Sequence, residues 1–181
     1  MWLFFQHLIQ LLLSPTRGWE DISEAVRPVD EIQRTGYYPL IAVTGLSEFL
    51  RLFYANHPPF IHLLLSGIAV AGTMFASLYL GRLLLDMTLA KCTDGHLNHT
   101  KVDCFITYLL GLDCLFLIFA NAMPAHMTFI NFLPLLSLIV IFKATLYLSI
   151  REDSRLNFTV LAIIAAIVIP IALGSLLLLF I

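Results

Sequence analysis

Four charged residues interrupt otherwise apolar stretches of this 181-residue sequence, and they are the residues whose types could do chemistry. They are Glu48, Arg51, Asp113 and Lys143. A charge in the hydrocarbon core of a bilayer costs about 2.5 to 3.5 kcal/mol on insertion scales unless it is paired or hydrated. Such a buried charge network either fixes helix packing as ion pairs or relays ions or protons, and the sequence leaves both interpretations open.

Spacing along the chain predicts how these charges pair. Glu48 and Arg51 are three residues apart, so they can pair within one helix. Asp113 and Lys143 lie at similar depths in consecutive apolar stretches, roughly 14 and 12 Å from the same edge at 1.5 Å per residue. We therefore expect Asp113 and Lys143 to face each other between two antiparallel helices.

Two further groups of polar residues lie near the ends of the apolar stretches. Arg82 and Asp86 are four apart, a spacing that predicts an interfacial ion pair. Cys92, His96 and His99 are of types that bind zinc, but they lack a spacing such as CxxC or HExxH. A polar loop is therefore favoured over a metal site.

The composition indicates a membrane protein. Hydrophobic residues make up 60% of the chain and charged residues 12%. The net charge of -2 provides no concentrated basic face, which excludes nucleic acid as an expected partner. A helix of about 20 apolar residues crosses a bilayer core of roughly 30 Å. The pattern predicts an all-α membrane protein, a bundle of five transmembrane helices with spans at about 37–54, 60–82, 104–121, 128–150 and 158–181.

Two short amphipathic helices are predicted before the spans. Residues 1–13 are apolar but too short to cross a bilayer, and residues from Pro15 to about Pro28 repeat large apolar residues at helical spacing. The residues expected to face the membrane surface are Trp2, Phe5, Leu8, Ile9, Trp19 and Ile22, with Gln6, His7 and Gln10 on the polar side of the first helix. Residues 1–35 are thus predicted to form an interfacial cytoplasmic segment, and residues 36–181 the transmembrane domain.

Basic residues predict the orientation, because Lys and Arg are retained on the cytoplasmic side. Seven basic residues fall in alternate polar segments: Arg17, Arg27, Arg34, Lys91, Lys101, Arg151 and Arg155. The intervening loops 55–59 and 122–127 contain none. This distribution predicts an N-terminus inside and a C-terminus outside.

Known enzyme motifs are missing from the sequence. Gly45 to Phe49 lacks the final glycine of GxSxG, and Gly111-Leu112-Asp113 is only half of an intramembrane aspartyl protease motif. The sequence therefore predicts a protein that is not an enzyme and carries no cofactor.

The stretch from Leu11 to Ile22, LLLSPTRGWEDI, gives the chain a resemblance to a known family. An apolar helix, a proline and a Trp/acidic turn precede the spans, which resembles the Yip family of Ypt/Rab-interacting membrane proteins, in particular its short bacterial members. The resemblance implies a five-span fold in a bacterial cytoplasmic membrane and a membrane-organising role.

Two functional hypotheses follow. The first is a non-enzymatic polytopic protein that shapes membrane or scaffolds partners, with the lipid bilayer, other membrane proteins or a second copy as its partners. The second is a small transporter or an ion- or proton-conducting protein that uses Glu48, Asp113 and Lys143. The sequence identifies no small-molecule ligand.

Overall fold

A computed structural model of the chain describes residues 2–25, 27–54, 59–89, 99–123, 133–148 and 150–179. The regular elements in these ranges are helical, as the sequence predicts. Three helices are long and apolar enough to cross a membrane: Phe60–Met87, His99–Ala122 and Glu152–Leu177. They correspond to the second, third and fifth predicted spans.

The other two predicted spans correspond to shorter or less apolar helices. The α-helix α7, Leu133–Tyr147, is about 22 Å long at 1.5 Å per residue, short of a bilayer core of roughly 30 Å. Residues 128–132 of that predicted span lie outside the described part of the chain. The predicted span 37–54 belongs to a longer helical segment that begins before it.

That segment is continuous from residue 29 to residue 53, and we call it the 29–53 segment. It consists of α3 (Val29–Ile32), a π-helical turn (Gln33–Tyr37), α4 (Tyr38–Ser47) and a 3-10 turn (Glu48–Phe53). The helix that contains the predicted span 37–54 thus begins eight residues earlier, at Val29. Pro28 occupies the N-cap position, where its carbonyl accepts from the Glu31 and Ile32 N–H groups, and Gly36 packs on the Phe4 ring. The predicted boundary between 1–35 and 36–181 falls inside this helical segment.

Helix α6 (His99–Ala122) lies at the centre of the molecule. It packs against α4, α5 (Phe60–Leu89), α7 and the C-terminal segment of α8 (Arg155–Ile163), a π turn (Ile164–Val168) and α9 (Ile169–Leu178). Every residue from Val102 to Leu112 is buried. An apolar helix that is buried all round is the core of its bundle rather than a lipid-facing wall.

Close contacts fix the directions of these helices. A Cβ on Gly67 would lie 2.6 Å from the Gly45 carbonyl oxygen, so α4 and α5 cross in direct backbone contact. Asn121, near the end of α6, bonds to residues 47 and 48, near the end of the 29–53 segment. Lys101 Nζ donates to the Tyr147 carbonyl, which joins the start of α6 to the end of α7. Successive helices therefore run antiparallel, with one end of the bundle at residue 48 and the other at residue 101.

Helices α1 (Trp2–Leu13) and α2 (Pro15–Glu24) form a hairpin that packs against α6 and α7. The contact is intimate: the Phe4 ring stacks on Tyr108 at 4.9 Å, and Trp19 Nε1 donates to the Val140 carbonyl at 3.0 Å. The hairpin closes on itself at Gly18, where a Cβ would meet Leu11 at 2.9 Å.

This packing corrects the predicted membrane-surface face. Leu8, Trp19 and Ile22 are buried inside the protein, whereas Trp2 and Ile9 are exposed and Phe5 is half-buried. The prediction treated each helix as an isolated amphipathic element, but α6 and α7 offer large side chains and backbone acceptors that bind one face of the hairpin. His7, assigned to the polar face, instead points inward to Tyr108.

Candidate ligand cavity and the two buried carboxylates

Glu48 is surrounded by hydrogen-bond donors at the residue-48 end of the bundle. Its side chain is only 6% exposed. Asn121 Nδ2 on α6 lies 2.9 Å from Oε1, Ser66 Oγ on α5 lies 3.5 Å from Oε2, and Arg51 lies 3.1 Å from Oε2. Asn121 also donates to Ser47 Oγ at 2.9 Å, and Tyr54 donates to its carbonyl. We call these residues the Glu48 cluster.

The Glu48 cluster joins three helices through one carboxylate. A buried charge is tolerated when it is paired and hydrogen-bonded on both oxygens, and Glu48 meets that condition. Arg51 is 47% exposed, so its ion pair is screened and the neutral donors carry much of the stabilisation. The Glu48 cluster therefore stabilises the packing of these three helices.

Asp113, in the middle of α6, has a different environment. Its Oδ2 atom is buried without a hydrogen-bond partner, and no ion pair with a described residue includes its carboxyl group. The Ser137 hydroxyl of α7 lies beside the carboxyl, yet Ser137 Oγ also lacks a partner within hydrogen-bond geometry. Unpaired buried polar atoms cost about 1 to 3 kcal/mol each, so this cost requires an explanation.

A cavity of about 460 Å³ adjoins Asp113 between α5, α6 and the C-terminal segment. Its wall is mainly apolar, and Asp113 is the one lining residue in the described chain that can carry a charge. Thr73 lines it too, with a buried hydroxyl that has no hydrogen-bond partner. A volume of this size with few polar groups is typical of small-molecule sites.

The cavity runs lengthwise between the three helices. Along α6 its lining extends from Asp113 to Ala120, seven residues or about 10 Å. Along the C-terminal segment it extends from Ala166, which is buried, to Ile171 and Ser175, which are exposed and form its rim. A Cβ on Gly174 would lie 3.8 Å from Thr73, so Thr73 and Gly174 are neighbours in the wall.

Small residues and a proline create this space. Ala69, Ala120, Ala166 and Gly174 contribute almost no side-chain volume to the wall. Pro170 lacks an N–H and crowds the carbonyl four residues earlier, and the π turn Ile164–Val168 lies just before it. The sequence contains no signal for the cavity itself.

The predicted pair of Asp113 and Lys143 does not form. Lys143 is exposed on α7, and its side chain makes no ion pair with the Asp113 carboxyl. Since Lys101 meets Tyr147, Lys143 lies about 6 Å and Asp113 about 18 Å from that level along their helices. The prediction measured depth from loop residues, but α6 begins earlier, at His99, and α7 ends at Tyr147, before the loop charges.

Arg82 and Asp86 belong to a larger ionic group at the residue-101 end. Arg82 Nε lies 3.7 Å from Asp86 Oδ2 and only 2.7 Å from Asp103 Oδ1 on α6, and Asp86 Oδ1 lies 3.0 Å from His99 Nδ1. This group fastens the end of α5 to the start of α6. Asp103 is buried, but Arg82 is 46% and His99 65% exposed, so solvent screens their ion pairs and each contributes about 1 kcal/mol or less.

Metal-binding residues do not cluster in the described ranges. No group of three or more His, Cys, Asp or Glu side chains in those ranges could hold an ion. Cys92 and His96, two of the weak zinc candidates, lie outside the described residues, and His99 pairs with Asp86.

His7 is an ionisable residue that is buried where the N-terminal hairpin meets α6. Its Nδ1 lies 2.9 Å from the Tyr108 hydroxyl, and the side chain is mostly enclosed by the hairpin contact. Burial lowers the pKa of His7 from 6.5, and Arg27 acts in the same direction, although the charge of Asp21 opposes both. His7 therefore favours its neutral form.

Comparison with protein-family models, with curated proteins and with solved structures returned no match for this chain.

Proposed function

We propose that this chain is a non-enzymatic, multi-pass membrane protein that binds a small amphiphilic molecule in the cavity beside Asp113. The observation that carries the proposal is an elongated apolar wall that contains two unpaired buried oxygen atoms, Asp113 Oδ2 and Thr73 Oγ1. Burying a carboxyl group in a membrane helix costs free energy, and such a residue is therefore a candidate functional residue. The Glu48 cluster joins α5 and α6, two of the helices that line this space, to the 29–53 segment. Of the residues in the second functional hypothesis, Asp113 lines the cavity, whereas Lys143 is exposed on α7 and does not.

The proposal includes a five-span topology with the N-terminus inside. The 29–53 segment is continuous and about 37 Å long, enough to cross a bilayer core. Lys101 and Arg82 lie at the same end of the bundle, and that end carries the start of α6 and the ends of α5 and α7. The antiparallel order of the helices is what the positive-inside pattern requires.

Binding of a neutral apolar probe tests the proposed function. Radiolabelled pentylbenzene would be dialysed against the protein in nanodiscs, with protein-free nanodiscs as the background. We expect saturable binding, and we expect Gly174→Leu to weaken it at least tenfold. The nearest atom to a Cβ at Gly174 is 3.8 Å away, in Thr73, so a leucine side chain enters the cavity.

Gly72→Leu is the matched control. A Cβ on Gly72 would have no atom within 4 Å, and Gly72 is exposed on α5, outside the cavity lining. It should leave binding within twofold of the original. Absence of saturable binding by any probe, or equal effects of the two leucines, would rule out the cavity as the site.

A second candidate function, membrane shaping, is favoured by the outer edge of the hairpin. Trp2 is 73% exposed and Leu13 82%, so this edge remains apolar after the inner face is buried. Trp2→Glu should then reduce vesicle deformation by the reconstituted protein, and Gln6→Glu on the same helix should not. Unchanged deformation in Trp2→Glu would exclude the edge as a membrane wedge. The resemblance to the Yip family stays a prediction that accompanies this candidate.

A further inference from the structure

We infer that the cavity takes an amphiphilic primary amine in its cationic form, with the ammonium group against Asp113 and the apolar part along the wall. This inference rests on the proposed function and names the chemical class of its ligand. It is argued from charge, from unpaired hydrogen-bonding atoms and from cavity shape.

Charge is the first argument. Asp113 is the one ionisable residue among the described lining residues, and Lys143, the expected counter-charge, faces elsewhere. An isolated carboxylate in an apolar site is strongly disfavoured, and an opposite charge at hydrogen-bond distance removes that penalty. The protein supplies no such charge in its described part, so a cationic ligand is the complementary partner.

Hydrogen bonding distinguishes a primary ammonium from other cations. Asp113 Oδ2, Thr73 Oγ1 and Ser137 Oγ are buried atoms without a partner, and all three can accept a hydrogen bond. Asp113 and Thr73 both line the cavity, on facing helices. An ammonium group has three N–H donors, whereas a quaternary ammonium has none. Asp113 and Thr73, the two unpaired acceptors that line the cavity, therefore match a primary ammonium and not a quaternary one.

Shape completes the argument. The lining extends about 10 Å beyond Asp113 along α6, through Phe116 and Leu117 to Ala120, and its other residues are also mainly apolar. A chain of a few methylene groups that ends in a ring fits this form. Its ammonium lies against Asp113 and Thr73, and its apolar part extends along α6 toward Ala120.

The experiment compares 4-phenylbutylammonium with pentylbenzene, in which a methyl group replaces the ammonium. Both would be measured by equilibrium dialysis against the intact protein in nanodiscs of neutral lipid, corrected for protein-free discs. We expect the protein to bind the ammonium at least tenfold more tightly than the hydrocarbon. Asp113→Asn should weaken ammonium binding at least tenfold and change pentylbenzene binding less than threefold.

A second variant keeps the test decisive if Asp113→Asn fails to fold. Thr73→Val removes one hydrogen-bond acceptor and no charge. It should weaken the binding of 4-phenylbutylammonium about threefold and leave the binding of pentylbenzene unchanged. Trimethyl(4-phenylbutyl)ammonium should bind less tightly than the primary amine in the original protein, because it has no N–H donors.

The outcomes separate this inference from the proposed function. Equal binding of the two probes, or ammonium binding that survives both substitutions, overturns the amine assignment while the cavity remains a site for neutral amphiphiles. Saturable binding of neither probe overturns the proposed function and the amine assignment together.

Discussion

Glu48 and Asp113 are both carboxylates on helices of one bundle, and their surroundings are opposite. Glu48 has partners on both oxygens from three helices, and the neighbouring Gly45–Gly67 crossing leaves no room for a methyl group. Asp113 has an unpaired buried oxygen and borders about 460 Å³ of space. A fully satisfied charge in a tight region stabilises the fold, whereas an unsatisfied charge beside a cavity is free to meet a ligand.

The largest expected effect is on stability at the Glu48 cluster. Glu48→Leu leaves donors of Asn121 and Ser66 buried without their acceptor, which should lower the free energy of unfolding by about 3 kcal/mol. An unfolding titration with SDS, followed by circular dichroism, measures this loss. A loss below about 1 kcal/mol would show that the cluster does not hold the helices together.

The next effect compares a glycine in the tight crossing of α4 and α5, Gly67, with a glycine of α9 beside the cavity, Gly174. Gly67→Ala forces a methyl group against the Gly45 carbonyl, a backbone atom that cannot move aside, and should cost about 2 kcal/mol. Gly174→Ala places its methyl group beside the cavity with 3.8 Å of clearance and should cost about 0.5 kcal/mol or less. The same SDS titration measures both, and equal losses would contradict the difference in packing.

A smaller effect concerns the N-terminal hairpin and depends on pH. The pKa of His7 is below 6.5 in the folded protein, so the unfolded chain binds more protons in acid. Stability should be fully retained above pH 6.5 and fall as the pH decreases through 6.5, until the lower folded pKa is reached. Unfolding titrations from pH 7.5 to 5 measure this slope. His7→Gln should reduce the dependence of the free energy of unfolding on pH over this range. If that dependence is unchanged in His7→Gln, His7 is not its cause.

The smallest expected effect on stability is at Asp113. Asp113→Asn removes a charge that has no ion-pair partner among the described residues, so the free energy of unfolding should change by about 0.5 kcal/mol or less. A loss as large as that of Glu48→Leu, in the same SDS titration, would mean that Asp113 is a structural residue after all.

These comparisons also show what the sequence could predict. The long apolar helices were predicted because a membrane-length run without charges is a local signal, and the same holds for the helical spacing of Glu48 and Arg51. The partners of Glu48 were missed, since Ser66 and Asn121 lie 18 and 73 residues away in sequence. Asn121, an amide in the last turn of an apolar helix, was the available signal.

The prediction that Asp113 and Lys143 face each other was wrong for a related reason. Depth along a helix can be counted from sequence, but the rotation of each helix and its true ends depend on packing. Lys143 comes six residues after Ser137, which turns it about 240° around α7 and away from the carboxyl. His7 was assigned to a polar face because its partner, Tyr108, lies about 100 residues further along the chain.

Two matched amide substitutions, Glu48→Gln and Asp113→Asn, test the central claim most directly when unfolding and 4-phenylbutylammonium binding are both measured in each. Glu48→Gln should lower the free energy of unfolding by about 1 to 2 kcal/mol and keep the affinity for 4-phenylbutylammonium within threefold. The substitution weakens the Glu48 cluster and leaves the cavity lining unchanged. Asp113→Asn should keep its stability and lose at least tenfold in affinity. The reverse pattern, with Asp113→Asn unfolding easily and Glu48→Gln losing the ligand, would contradict the division between a structural and a ligand-binding carboxylate.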